Sequence, residues 1–138
     1  MTIPPLRKIL CVEDEPLVQA IARAALEKRG GFTVLICGSG AEAIEAAPAF
    51  APDFILLDVM MPGMDGPATL AALRLLPATA GTPAALMTTK VQARELAPRG
   101  GLGIIGVIDK PFDPKTLAET LRALWARSHG EEIADGKR

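Results

Sequence analysis

Histidine occurs once in the 138 residues, at His129 in a polar C-terminal stretch, and cysteine only twice, at Cys11 and Cys37. The two cysteines fall in separate apolar segments, form no CxxC pair and have no histidine near them in sequence. This argues against a Cys/His metal site and leaves core packing as the role of the thiols. An excess of one charge sign is also missing. The formal net charge is -1, so there is no basic footprint for nucleic acid. No apolar run approaches the roughly 18 residues that a membrane span needs. The N-terminal MTIPPLRK lacks the apolar region of a signal peptide. These absences point to a cytoplasmic protein with no direct membrane or nucleic-acid contact.

What is present is the composition of an ordinary soluble domain, 49% apolar and 22% charged. The length fits one domain, long enough to bury a core without disulfides or a structural metal. No internal repeat or linker is visible. Apolar runs alternate with helix-period segments. Ile9–Val12 is followed by Val18, Ile21, Ala22, Ala25 and Leu26 at helical spacing, ended by Gly30-Gly31. Phe32–Cys37 precedes Ser39 and Glu42, an S-x-x-E capping box that opens a helix with Ala43, Ile44 and Ala47 on one face. Pro48 and Pro52 are expected to break that helix. Phe54–Leu57 leads to a helix marked by Leu70, Leu73 and Leu76. Pro83–Met87 is a strand weakened by Ala84 and Ala85, followed by a short helix over Val91–Ala97. Ile104–Ile108 precedes Asp113-Pro114, an N-cap with proline at the first helical position, and a last helix burying Leu117, Leu121, Leu124 and Trp125. From Ser128 the chain is polar, and a loose tail is expected.

Five strands alternating with five helices imply an α/β domain with a parallel sheet covered on both faces. In such sheets ligands bind outside the carboxyl ends of the strands. The first strand ends in Glu13-Asp14, the third in Asp58, the fourth in Thr88-Thr89 and the fifth in Asp109-Lys110-Pro111. Each residue alone has a plain structural role: a helix cap, a loop-starting acid, a turn hydroxyl, a solvated charge. Their coincidence at one sheet edge does not. Glu13, Asp14 and Asp58 would concentrate three negative charges, which is costly at close range. A divalent cation and Lys110 restore neutrality, and oxygen ligands of this kind suit Mg²⁺ beside a phosphoryl group.

These residues carry a family resemblance. ILCVEDE at 9–15, ILLDVMMPGMDG at 55–66, LMTT at 86–89 and DKPFDPKTL at 109–117 resemble the receiver domain of two-component response regulators, chemotaxis-regulator-like. The spacings agree as well: 44 residues from Asp14 to Asp58, 30 on to Thr88 and 22 on to Lys110. The resemblance spans residues 6–127, leaving 1–5 as an N-terminal extension and 128–138 as a tail. It implies a flavodoxin-like (βα)5 fold with strand order 2-1-3-4-5. It also implies that Asp58 accepts a phosphoryl group from a histidine kinase or phosphotransfer protein. Asp14 and Asp58 would bind Mg²⁺ directly, Glu13 through water, and Met60 through its backbone carbonyl. Lys110 would pair with phosphate oxygens, Thr88 would donate its hydroxyl to them, and a cis bond before Pro111 would aim Lys110. Gly66 and the Pro62-Gly63 turn would shape the loop after Asp58.

The resemblance further implies a switch of Thr88 and an aromatic on the fifth strand. That second position is Val107 here, a departure. Together with the glycine-rich APRGGLG at 97–103 it suggests a modified switch, an order–disorder change over residues 89–103. Met60 and Lys90 occupy the positions that tune dephosphorylation, and Met60 cannot orient water by hydrogen bonding. Pro16, Leu17, Gln19 and Ala20 are candidates for kinase recognition. A homodimer could use the fourth helix, fifth strand and fifth helix. Three other readings compete. A haloacid-dehalogenase-type phosphohydrolase needs a second aspartate where Met60 stands. A flavin mononucleotide binder would have its phosphate repelled by EDEPLV. A degenerate receiver serving only as a protein–protein module is kept open by Val107.

Overall fold

The computed structural model describes residues 3–89 and 102–131. Five parallel strands form one sheet in the order β2-β1-β3-β4-β5: β1 Lys8–Val12, β2 Thr33–Cys37, β3 Phe54–Asp58, β4 Ala84–Thr88 and β5 Ile104–Asp109. The expected fold class and strand order are those observed. Side chains alternate across the pleat, so each central strand feeds two cores. Ile9, Cys11, Phe54, Leu56, Ala85 and Met87 face one side. Leu10, Val12, Ile55, Leu57, Ala84 and Leu86 face the other. Every residue of β3 and β4 is buried, as expected for strands covered on both faces. The strand forms despite the poor propensity of Ala84 and Ala85, because both are buried in the two cores, but its register with β5 shifts between these two residues.

Helix α1 starts with Pro16 at its first position, covers Pro16–Arg23 and continues as a wider π-type turn over Ala24–Arg29. Gly30 closes it, and Gly31, at φ 73, turns the chain toward β2. Helix α2 (Gly40–Phe50) has Ser39 as its cap, the hydroxyl accepting from the Glu42 N–H. The return bond of the box goes one residue further out, to the N–H of Gly38. Pro48, expected to break this helix, lies inside it. It is exposed and sits in the last turn, where a missing N–H loses one bond only. The helix ends instead at Ala51, in the left-handed conformation.

Helix α3 (Gly66–Leu73) buries Leu70 and Leu73, while Leu76 lies beyond its end in a turn, half-buried against the same core. The C-terminal helix covers Leu117–Ala126, three residues later than a cap at Asp113 would start it. Asp113 still accepts N–H groups, with its side chain from Lys115 and with its carbonyl from Thr116 and Leu117, and so closes a turn that precedes the helix. The π-type turn Arg127–Glu131 then brings His129 against the Trp125 ring at 4.0 Å, so the stretch expected to be loose is ordered this far. Four helices, with their extensions, are seen among the described residues. The helix expected over Val91–Ala97, Lys90 and most of the 89–103 switch segment lie outside them.

Candidate functional site

β1 and β3 are neighbours whose following helices cover opposite faces of the sheet, which makes their carboxyl ends the place where a crevice opens. Glu13 and Asp14 leave β1 there. The Glu13 N–H donates to the Cys37 carbonyl on β2 at 3.0 Å. Its side chain is fully buried, with one carboxylate oxygen accepting from the Glu15 N–H at 3.0 Å. The Gln19 side chain, on α1, donates to the Glu13 carbonyl at 2.6 Å. Gln19, a candidate for kinase recognition by sequence, is thus half-buried and turned inward. No sequence signal marked that reach of six residues.

Asp58 is the last residue of β3 and is 3% exposed. The loop after it folds back on the strand end. Gly63 takes φ 80 after Pro62, and the Gly66 N–H donates to the Val59 carbonyl at 2.8 Å. A Cβ at Gly66 would lie 2.4 Å from the Asp58 carbonyl oxygen, so only glycine fits this approach. Thr88 ends β4, fully buried, its hydroxyl donating to the Thr89 carbonyl at 3.0 Å. Lys110 follows β5. Its N–H donates to the Thr88 carbonyl at 2.9 Å, and its bond to Pro111 is cis, as expected.

The side chain of Lys110 closes the cluster. Its Nζ lies 3.0 Å from Asp58 Oδ1 and 3.3 Å from Glu13 Oε1. Glu13, Asp14 and Asp58 each offer one carboxylate oxygen, all within 4.8 Å of one another. Burial raises the pKa of Asp58; the bond and charge of Lys110 and the Met60 N–H oppose this, and Asp14 adds to it. Burial likewise raises Glu13, against the Glu15 N–H and Lys110, with Asp58 repelling it. Burial would lower Lys110, but the hydrogen bonds and charges of Asp58 and Glu13 outweigh it and hold the ammonium above its ordinary value. Three carboxylates thus converge where, among the described residues, Lys110 is the ammonium paired with two of them. Three convergent carboxylates, joined by no cysteine or histidine among the described residues, fit a hard divalent cation such as Mg²⁺.

Elsewhere, Met60 is 60% and Val107 51% exposed. Val107 pairs in register with Leu86 on β4. A cavity of about 360 Å³ opens beside the crevice, lined by Glu15, Val18, Ile21, Lys110, Pro111 and Phe112 among others.

A parallel α/β sheet with an acidic pocket and a lysine at its carboxyl edge belongs to the class of doubly wound domains that can hold a divalent cation and an anionic group there. The sequence profile of the response regulator receiver domain matches residues 9–122. The chain belongs to this family. It is 32% identical over 125 residues to the DNA-binding response regulator MtrA of Mycolicibacterium smegmatis, an alignment covering 91% of this chain and 53% of that protein. The chain thus spans about half the length of the curated relatives it matches. Among solved structures, the chemotaxis response regulator CheY4 of Vibrio cholerae superimposes with TM-score 0.76 at 29% identity, covering 87% of this chain and 99% of that one. The receiver domain of the sensor histidine kinase PA1611 from Pseudomonas aeruginosa, with a magnesium ion coordinated in its active-site cleft, gives TM-score 0.72 at 28% identity, covering 87% and 95%. Receiver domains are signalling modules that work with histidine kinases or phosphotransfer proteins, and Mg²⁺ at an acidic pocket is typical of them. No helix among the described residues is long and apolar enough to cross a membrane.

Proposed function

We propose that residues 6–127 act as a phosphoacceptor receiver, taking a phosphoryl group on Asp58 from a histidine kinase or phosphotransfer protein. The observation that carries this reading is the buried Asp58 carboxylate, held 3.0 Å from the Lys110 ammonium beside two further carboxylates. An Asp58 oxygen attacks phosphorus, the bond from phosphorus to the donor nitrogen breaks, and an acyl phosphate remains on Asp58. Asp14 and Asp58 would hold Mg²⁺ directly, Glu13 would hold it through water and the Met60 carbonyl would complete the protein ligands. When bound, Mg²⁺ supplies the positive charge that lets phosphoryl oxygens enter an acidic pocket. Lys110 follows the phosphoryl oxygens as a compact cation. Thr88 turns its hydroxyl from the Thr89 carbonyl toward the new phosphate, and with Val107 forms the switch. Met60 offers no hydrogen bond to an attacking water, so the phosphoryl form outlasts seconds when no phosphatase is present. Lys90 is the other residue tuning that lifetime.

The groove between α1 and the loop after β5 supports docking of the donor domain at the crevice rim. An output partner reads the face of the fourth helix, fifth strand and fifth helix, and the same face is where a homodimer would form. Residues 1–5 and 128–138 flank the domain. Direct contact with nucleic acid is not a role of this domain; DNA binding is said of the longer MtrA.

Intact-mass measurement with a small-molecule phosphodonor and Mg²⁺ tests the reading. One phosphoryl adduct on the wild type is expected, absent from Asp58→Asn and blocked by chelator. No adduct with phosphate release would indicate a phosphohydrolase. No adduct and no release would leave a phosphorylation-independent protein–protein module.

A further inference from the structure

Glu13 is held at every polar group it has. Its N–H is taken by β2, its carboxylate by Lys110 and the Glu15 N–H, and its carbonyl by Gln19. The last contact differs from the others. The backbone and Lys110 are part of the strand ends themselves, whereas Gln19 reaches back from the second turn of α1. Its partner oxygen belongs to the peptide plane that joins Glu13 to Asp14. That plane sets the direction in which Asp14 leaves the chain. Only the amide nitrogen of Gln19 can face a carbonyl at 2.6 Å, since its oxygen would be repelled.

We infer that Gln19 is a positioning residue for the acidic pocket: by fixing the Glu13–Asp14 peptide it presents Asp14 to the cation. This rests on the Mg²⁺ site proposed above. Asp14 is the one carboxylate of the three with no side-chain bond to Lys110, and it is only half-buried. Its backbone is therefore the main determinant of where its oxygens point. The Gln19 N–H makes the first bond of α1, to the carbonyl of the N-cap Glu15 at 2.9 Å, which fixes the backbone from which the side chain reaches the acidic turn. The side chain acts before any cation arrives. It orders the turn in advance and reduces the ordering that binding would otherwise require.

Isothermal titration of Mg²⁺ into wild type, Gln19→Met and Gln19→Ala tests this. Methionine keeps the length of the side chain and removes the donor; alanine removes both. Outer groups that orient metal ligands change affinity by about tenfold or more, so a Kd about tenfold weaker is expected in both variants. The Mg²⁺ concentration for half-maximal phosphoryl incorporation should rise by the same factor, with the rate at saturating Mg²⁺ within about twofold of wild type. Thermal unfolding without Mg²⁺ shows whether both variants fold. Wild-type binding with unchanged Kd in folded variants would overturn the positioning role and leave the receiver reading intact. Equal loss of rate at limiting and saturating Mg²⁺ would overturn it too. No binding of Mg²⁺ to the wild type would remove the site on which the role depends.

Discussion

Two aspartates bracket β3, and they do opposite things. Asp53, just before the strand, spends its charge on the backbone: one carboxylate oxygen accepts the N–H groups of Arg7 and Lys8 at 3.0 and 2.8 Å. It stitches the start of β1 to the start of β3. Asp58, at the other end, is more deeply buried and faces two further acids and one ammonium. It takes one backbone amide, from Met60, but its other neighbours are charges that repel it or are shared with Glu13. A carboxylate satisfied by fixed amides is a fastening. A carboxylate crowded with its own kind fits the proposed role of holding a cation and receiving a phosphoryl group. Four residues of one strand lie between the two aspartates, and the direction of the parallel sheet decides which end receives which.

Substitutions at the two positions should therefore divide cleanly. Asp58→Asn is expected to abolish phosphoryl incorporation while the protein stays folded, as read by intact mass and circular dichroism. Asp53→Ala is expected to keep incorporation and lose about 1–2 kcal/mol of stability in urea unfolding, since a partly buried N–H loses its acceptor. An Asp53→Ala protein of full stability would show that the stitch carries no weight.

Gly66→Ala sharpens the view of the loop that backs Asp58. The added methyl meets the Asp58 carbonyl, and a cost of about 1–3 kcal/mol is expected from forced displacement. Gly81→Ala meets nothing within 4 Å and should be neutral, which makes it the control in the same melting experiment.

Lys110→Met removes the cation that Glu13 and Asp58 share. Both acids have pKa values raised by burial even with Lys110 present, so without it their ionised forms are less favourable still. A raised carboxylate pKa costs stability as pH climbs through it. The variant should thus fall further below wild type at pH 7 than at pH 4.5, by on the order of 2 kcal/mol at the higher pH. Added Mg²⁺ should recover part of the loss. A deficit independent of pH would mean that Lys110 contributes packing alone.

The smallest effect concerns the thiols. Burial pushes Cys11 up to about 12 and Cys37 up to about 11, so both are protonated at pH 8. Neither should react with iodoacetamide in the folded protein, and both should react once it is unfolded. The unfolded chain gives up these protons near pH 9, so their contribution to stability falls as pH rises from there toward 12. Rapid labelling of native protein at pH 8 would contradict the burial.

Local pattern carried much of this into the sequence. The five apolar runs appear as strands within a residue or so at each end, and Ser39 caps α2 as its spacing requires. Residues that end those runs face one edge because a parallel sheet points every strand the same way, which period and order alone imply. Where the sequence misled, the missing information was environment. Pro48 is tolerated because its place is an exposed last turn. Ala84 and Ala85, expected to weaken their strand, are held in it by burial in the two cores, and the register shift beside β5 falls between them.

The sequence by itself determined which residues are strand ends, because alternation and periodicity are written along the chain. Only the tertiary structure decided how close those ends come. Lys110 reaches Asp58 and Glu13, Gln19 reaches the Glu13 carbonyl, and Gly66 lets the loop lie against Asp58. Each of these depends on a distance across the sheet or back over a turn. Such distances follow from packing two cores against one twisted surface, and no single segment contains them.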